Sequence, residues 1–212
     1  PSPSRSANRI NSEPGSPERA RYIFRDGKGE NGELPPNNWP SVFGGPAWTR
    51  TINPDGSPGQ WYLHLFDSSQ PDFDWTNPEV WDFFDGVLRF WLDRGVDGFR
   101  VDVAHSMIKA DGLPDLSESE VHDHSPEGSK PFWDQEGVHE VYRRWHKVLA
   151  EYGDDRILCA EAWVWPLERM ARYVRADEMH QAFNFAYLST TWDAAKVKVV
   201  IDESLSAFGA VG

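Results

Sequence analysis

Over residues 76–212, stretches in which apolar residues have helical spacing alternate with short continuous apolar runs. Apolar residues spaced three to four apart predict amphipathic helices at about 76–95, 137–152, 166–174 and 193–208. Thr76 or Asn77 can cap the first helix, with Glu79 completing a capping box to Thr76, and Gly95 can stop it. Short apolar runs between the helices predict strands at 99–104, 157–163 and 181–188. This alternation is typical of parallel strands with helices outside, and it predicts an α/β fold that is a segment of a (β/α)8 barrel.

The first part of the chain lacks this regular alternation. Residues 13–75 combine frequent Gly, Pro, Asn and Asp with short apolar pieces, which predicts a separate lobe of loops and small antiparallel strands. Residues 1–12 are rich in Ser, Pro, Arg and Asn and have no periodicity, so we expect a disordered or foreign tail. The predicted domains are therefore 1–12, 13–75 and 76–212.

One strand carries an unusual charge pair. Between Phe99 and Val103 apolar and polar residues alternate, so Arg100 and Asp102 should share the face opposite the apolar one. Burying such a pair costs several kcal/mol unless the charges are paired. A strand that serves stability alone would therefore be expected to avoid it. Since the chemistry of a barrel lies at the carboxyl ends of its strands, a functional role is favoured over a structural ion pair, which stays an alternative.

Composition narrows the possible partners. The 212 residues include 21 basic and 34 acidic ones, and the net charge of −13 disfavours nucleic acid and anionic membranes. The single cysteine, Cys159, excludes an intramolecular disulfide and is typical of a small core residue. With no signal peptide and no long apolar run, the expectation is a cytoplasmic protein. The sequence contains no nucleotide fold fingerprint and no phosphate loop, and we expect no cofactor and no metal.

Three motifs resemble those of one enzyme family. GFRVD at 98–102 resembles the fourth-strand motif of the α-amylase family (glycoside hydrolase family 13), and ILCAEAW at 157–163 resembles its fifth-strand motif. QPDFDW at 70–75 is similar to the QPDLN-type signature of the oligo-1,6-glucosidase and α-glucosidase branch, from which Phe73 and Asp74 depart. In order and spacing the resemblance runs from about Glu13 to the C-terminus.

The resemblance implies a fold and a reaction. The chain would supply about strands 4 to 6 of a partial TIM barrel, and residues 13–75 would resemble the inserted B domain that roofs the sugar pocket. The implied activity is that of a retaining α-glucosidase acting on short oligosaccharides, with Asp102 as nucleophile and Glu161 as general acid/base. The implied substrate-binding residues are Arg100, Phe43, Phe66, Val103 and His105.

Two features of the sequence bear on the roles within this implied site. The guanidinium of Arg100 favours an ionised Asp102, whereas the apolar neighbours Ala160, Ala162 and Trp163 favour a protonated Glu161. Valine directly after the nucleophile looks more like the isomaltose-cleaving type.

Other functions remain open at this stage. A transglucosylase of the same family would use the same carboxylates, and a non-catalytic sugar-binding relative would keep the fold alone. A metal-dependent hydrolase is suggested by His122, His124 and His105, although the first two lie in an acidic, turn-rich loop. The family's third carboxylate, in an Asn-His-Asp motif, has no counterpart here, so we expect that residues 1–212 alone do not hydrolyse sugars. The oligomeric state is left open.

Overall fold

The computed structural model describes residues 12–122 and 130–211. The predicted tail therefore lies, apart from Ser12, outside the described residues. These residues form two compact units. The first contains the described residues up to Trp81 and those from Gly112, and the second contains Asp82–Asp111 and the described residues from 130 onward.

The first unit is built on a small antiparallel sheet, as the Gly- and Pro-rich pattern predicts. Its strands are β1 (Phe24–Arg25), β2 (Trp48–Ile52) and β3 (Pro58–Leu63), in the order β1-β3-β2. The β2–β3 pairing shifts register between Arg50 and Ile52. Large apolar side chains close its core, among them the fully buried Trp39, Trp48, Leu63 and Leu65.

A short stretch that comes much later in the sequence, which we call the latch segment (residues 113–116), packs in this first unit. The side-chain nitrogen Nδ2 of Asn37 donates to the carbonyl of Leu113 at 3.1 Å. Asn38 donates to the carbonyl of Leu116 at 2.8 Å and accepts from its N–H at 2.7 Å. Two consecutive asparagines thus bind both ends of the latch segment.

The helices of the chain agree in part with the apolar periodicity. They are α1 (Pro78–Leu92), α2 (Glu118–His122), α3 (Val138–Ala150), α4 (Leu167–Ala171), α5 (Phe185–Ser189) and α6 (Ala194–Gly209). Four of them, α1, α3, α4 and α6, lie where the apolar periodicity predicts helices, whereas α2 and α5 were not predicted. The 3-10 turn Arg172–Val174 extends α4 over the predicted range. None of these helices, among the residues that the structure describes, is long and apolar enough to cross a membrane.

The start of α1 differs from the predicted capping box. The Asn77 side-chain oxygen accepts the N–H of Glu79 at 2.9 Å, so Asn77 is the cap. The hydroxyl of Thr76 instead donates to the Asp74 carboxylate at 2.6 Å. Gly95 follows α1 with φ +85°, a conformation that glycine adopts without strain.

The second unit contains a three-stranded parallel sheet in the order β4 (Gly98–Val101), β5 (Ile157–Ala160) and β6 (Gln181–Ala182). Val101 pairs with Ala160, and Ala160 pairs with Ala182. Parallel strands joined through α3 and α4 fit the predicted α/β class.

All three strand predictions are wrong in extent, and β5 ends at Ala160 rather than at residue 163. Strand β4 ends at Val101, because Val103 has φ +46° and the alternation of faces stops before it. The predicted strand over 181–188 shrinks to two residues and then becomes α5, where the Asn184 side chain accepts the N–H of Tyr187 and caps the helix. The short apolar run predicted a strand, but a local cap decided the backbone.

Candidate active site

Two carboxylates lie directly after neighbouring parallel strands. Asp102 follows the last residue of β4 and Glu161 follows the last residue of β5, and those last residues are register partners. The N–H of Glu161 donates to the carbonyl of Val101 at 2.9 Å, and the N–H of Ala104 donates to the carbonyl of Glu161 at 2.8 Å. This backbone pairing continues past the strands and holds Asp102 and Glu161 side by side.

A single guanidinium contacts both carboxylates. Arg100 Nη1 lies 2.8 Å from Asp102 Oδ1, and Nη2 lies 3.6 Å from Glu161 Oε2. The side chain of Asp102 is 72% exposed and that of Glu161 only 14%. Arg100 is itself half exposed, so the prediction of a buried charge pair is wrong for the described chain, and solvent weakens the Arg100–Asp102 attraction. Asp102 is thus open to a ligand, while Glu161 is enclosed.

The surroundings of Glu161 are more polar than the apolar neighbours in the sequence suggest. Its Oε2 accepts the backbone N–H of Val103 at 2.8 Å, and its Oε1 accepts the indole N–H of Trp163 at 3.2 Å. The left-handed φ of Val103 is rare for a β-branched residue. Strain of this kind persists where the surrounding contacts hold it and clusters at functional sites. The predicted apolar setting is therefore wrong, because a backbone amide and an indole N–H both point at the carboxylate.

His105 is a buried residue three positions after Asp102. Its ring packs against that of Trp133 at 4.7 Å between centroids, and its carbonyl accepts the N–H of Asp134 at 2.7 Å. Burial, aided by the charge of Lys109, lowers the pKa of His105 to about 3, so its imidazole is neutral near pH 7. Its Nδ1 has no hydrogen-bond partner among the described residues.

Contacts that the sequence analysis missed support this exit from β4. The hydroxyl of the fully buried Tyr142 donates to the carbonyl of Ala104. The carboxylate of Asp134 accepts from Arg169 Nε at 2.6 Å and from the Tyr173 hydroxyl at 2.7 Å. Tyr142 belongs to the apolar face of α3, so its periodic spacing signals burial and not a polar role.

Phe43 and Phe66 lie together in the first unit. Their rings meet edge to face with centroids 5.5 Å apart. Phe43 is 68% exposed, so it is not a core aromatic of this unit. The structure therefore offers a solvent-facing aromatic pair in this unit.

The metal-dependent alternative has no geometric support among the described residues, since they contain no cluster of three or more side chains arranged to hold a metal ion. The side chain of His122, and all of His124, lie outside the described residues.

Comparison with solved structures indicates what this arrangement resembles. An isomaltulose synthase from Erwinia rhapontici NX5 superposes with a TM-score of 0.82 at 30% identity, over 98% of this chain and 37% of that one. A trehalose-6-phosphate hydrolase from Bacillus licheniformis gives 0.81 at 28% identity, over 98% and 37% of the two chains.

Sequence comparison agrees with these structural matches. A probable oligo-1,6-glucosidase 3 from Bacillus subtilis (strain 168) is 45% identical over 111 residues, which are 52% of this chain and 19% of the relative. An oligo-1,6-glucosidase from Parageobacillus thermoglucosidasius is 42% identical over 138 residues, which are 65% and 23%. The chain thus spans about a quarter or less of the length of these curated relatives.

The family comparison covers almost the whole chain. The sequence model described as the alpha amylase catalytic domain matches residues 4–208. The fold of the solved relatives, a TIM barrel, is represented here by the parallel sheet and its helices. This chain belongs to the α-amylase catalytic-domain family of glycoside hydrolases.

Proposed function

We propose that this chain is part of a retaining α-glucosidase that cleaves α-glucosidic bonds of short oligosaccharides of the isomaltose or maltose type. The observation that carries the proposal is the pair of carboxylates after adjacent parallel strands, Asp102 and Glu161, with one guanidinium contacting both. The oligo-1,6-glucosidase names of the relatives support the substrate class.

The difference in exposure between the two carboxylates suits two roles. Exposed Asp102 would attack the anomeric carbon and form a covalent glycosyl-enzyme, while Glu161 would protonate the departing glycosidic oxygen. Glu161 would then remove a proton from water, which attacks the anomeric carbon and releases Asp102. Retaining enzymes place the two carboxyl groups about 5 to 5.5 Å apart, a separation that neighbouring strand ends can provide.

The remaining site residues would shape the sugar pocket. We assign Arg100, Val103 and His105 to substrate binding at the reacting end of the site, where the imidazole of His105 would be neutral. Phe43 and Phe66 would present aromatic faces to a glucose ring from the B-domain-like lobe. We propose that this lobe comprises residues 13–75 and that β4–β6 correspond to barrel strands 4 to 6. The mechanism calls for no metal and no cofactor.

A transglucosylase is the second candidate, and the structural neighbours favour it specifically. Solved relatives with TM-scores of 0.82 are described as a trehalulose synthase and an isomaltulose synthase. Such an enzyme would form the same intermediate on Asp102 and pass the glucosyl group to a sugar in place of water. Product analysis separates the two, since hydrolysis releases glucose and transfer releases a rearranged disaccharide.

The experiment is a comparison of two variants in an enzyme that contains this chain within a complete catalytic domain. Glu161→Gln is expected to lower kcat on a disaccharide about 10²- to 10⁴-fold, the usual range for lost acid catalysis. On an aryl glucoside whose leaving group needs no proton, Glu161→Gln should lose much less in glycosylation. Asp102→Asn should lose activity on both substrates, because no covalent intermediate can form.

A matched control is the same substitution at an exposed carboxylate elsewhere. Asp97 is 88% exposed and pairs only loosely with Arg156 at 3.3 Å, so Asp97→Asn should keep near-wild-type turnover. Disaccharide hydrolysis at wild-type rates by either Asp102→Asn or Glu161→Gln would remove the assignment.

We further propose that residues 1–212 alone are inactive, and sugar hydrolysis by the pure chain would contradict this. We also propose that the whole enzyme prefers isomaltose to maltose, and a preference for maltose would contradict that.

A further inference from the structure

We propose that Trp163 is a positioning residue for Glu161 and that a ring of side chains, which we call the aromatic bracket (Arg100, Trp163, Phe183 and Phe185), holds its indole N–H on one carboxylate oxygen. This inference deepens the proposed function and rests on it for its catalytic meaning. The contacts themselves do not depend on that function.

The contacts of the bracket form a closed circuit around Glu161. The Trp163 ring stacks on Phe185 with centroids 3.8 Å apart and an interplanar angle of 13°. Phe185 meets Phe183 edge to face at 5.8 Å, and the guanidinium carbon of Arg100 lies 5.6 Å from the Phe183 ring centroid. Trp163 and Arg100 then each contact Glu161, which closes the circuit.

The burial of Phe185 explains why the indole ring of Trp163 has a fixed orientation. Phe185 is the first residue of α5 and is only 8% exposed, so it offers a fixed surface for stacking. Trp163 itself is 41% exposed and has no such burial of its own to fix its ring. Stacking of aromatic rings adds about 0.5–1.5 kcal/mol beyond area burial, enough to favour one ring orientation. Trp163 also stacks on Trp165, but more distantly, with centroids 5.9 Å apart and an interplanar angle of 28°. The close stack on Phe185 is therefore the main contact that directs the indole N–H.

The two oxygens of Glu161 have different partners. Oε2 faces the Val103 N–H and the Arg100 guanidinium, whereas the partner of Oε1 among the described residues is the Trp163 N–H. A hydrogen bond from Val103 and the nearby positive charge of Arg100 both favour negative charge on Oε2, which leaves Oε1 as the oxygen that carries the acid proton. In glycosylation that proton moves from Oε1 to the departing glycosidic oxygen, and the O–H electron pair stays on Oε1. The indole N–H then binds an anionic oxygen, and such charge-assisted bonds are the stronger ones.

The test uses the 212-residue chain itself and needs no sugar. Its eleven tryptophans give eleven indole N–H resonances in a ¹H–¹⁵N spectrum, and Trp163→Phe assigns one of them by its loss. We expect the Trp163 resonance to shift with pH as Glu161 gains and loses its proton. This pH dependence should disappear in Glu161→Gln and remain in Trp192→Phe, a control at a tryptophan that is 88% exposed.

The stack is tested by a second pair of variants. Phe185→Ala removes the ring on which Trp163 stacks, so the Trp163 resonance should lose its pH dependence. The indole resonances of tryptophans away from Phe185, such as Trp39 and Trp48 in the first unit, should stay in place. Phe185→Tyr keeps a ring and should restore the pH dependence. An unchanged titration in Glu161→Gln, no titration in the wild-type chain, or an unchanged titration in Phe185→Ala would each overturn the proposal.

These outcomes are independent of the enzymatic assignment. If Glu161→Gln keeps full activity in the complete enzyme while the Trp163 titration is lost, the bracket stands and the proposed function fails. If Glu161→Gln is inactive but the Trp163 resonance never titrates, the proposed function stands and the bracket fails.

Discussion

Acid should destabilise this chain through one buried imidazole, that of His105. Its pKa is lowered to about 3 by burial, while an unfolded histidine has a pKa of about 6.5. Between these two values the unfolded chain binds a proton at this side chain and the native chain does not. The free energy of unfolding must therefore fall as the pH drops below about 6.5, and this contribution levels off only near pH 3.

The size of the effect follows from the difference in proton binding. Each pH unit within that window corresponds to about 1.36 kcal/mol, so lowering the pH to 5 removes about 2 kcal/mol through His105. A loss of this size is a large share of the stability of a typical domain, which is about 5–15 kcal/mol.

The assay compares wild type with His105→Phe by urea unfolding at pH 7 and pH 5. Phenylalanine keeps a ring against Trp133 but binds no proton, so every other titrating group cancels in the difference between the two proteins. Wild type should lose about 2 kcal/mol more than the variant on acidification. Equal losses in both proteins, within about 0.5 kcal/mol, would refute the reasoning that burial suppresses protonation here.

Two further predictions concern backbone strain and the first unit. Val103→Gly should change the free energy of unfolding by less than about 1 kcal/mol, because glycine adopts the left-handed conformation without the strain of about 1–2 kcal/mol that valine bears. Val101→Gly, at a buried position in β4, should lose about 3 kcal/mol by urea unfolding, and similar losses in the two variants would contradict the strain at 103. Asn37→Ala should cost about 2–4 kcal/mol, because its side chain donates to the latch segment and its oxygen accepts the Trp48 indole N–H at 2.7 Å in a buried site. Asn31→Ala, at an exposed asparagine, should cost under about 0.5 kcal/mol, and equal costs for the two asparagines would contradict the role of Asn37.

The regular elements were largely predictable, because burial of one face imposes a period on the sequence. Helices α1, α3 and α6 fall where apolar spacing places them, and the Asp193 side chain caps α6 as the polar start of that pattern suggests. Strands β4 and β5 also lie within the predicted runs. The family resemblance, from motifs on those strands, is borne out by the match over residues 4–208.

The predictions that failed concern segments whose conformation depends on single local contacts. Such contacts impose no periodic pattern on the sequence. Nothing in an alternating pattern shows that Val103 adopts a positive φ, yet that turn aims its N–H at Glu161. Likewise, the cap provided by Asn184 converts an apparent strand into α5 and so brings Phe185 against Trp163. The sequence motifs single out the two carboxylates, whose catalytic roles stay a proposal, whereas the contacts around them needed the structure.

The latch segment has a consequence for the order in which the protein can fold during synthesis. The first unit includes residues from Gly112 onward, which are separated in sequence from its other part by α1 and β4. A ribosome that has released the chain only as far as residue 81 has exposed Asn37 and Asn38 without the backbone groups that they bind. Protein is synthesised at about 5–20 residues per second. The first unit must therefore wait for β4 and the latch segment to emerge before its own hydrogen bonds are complete.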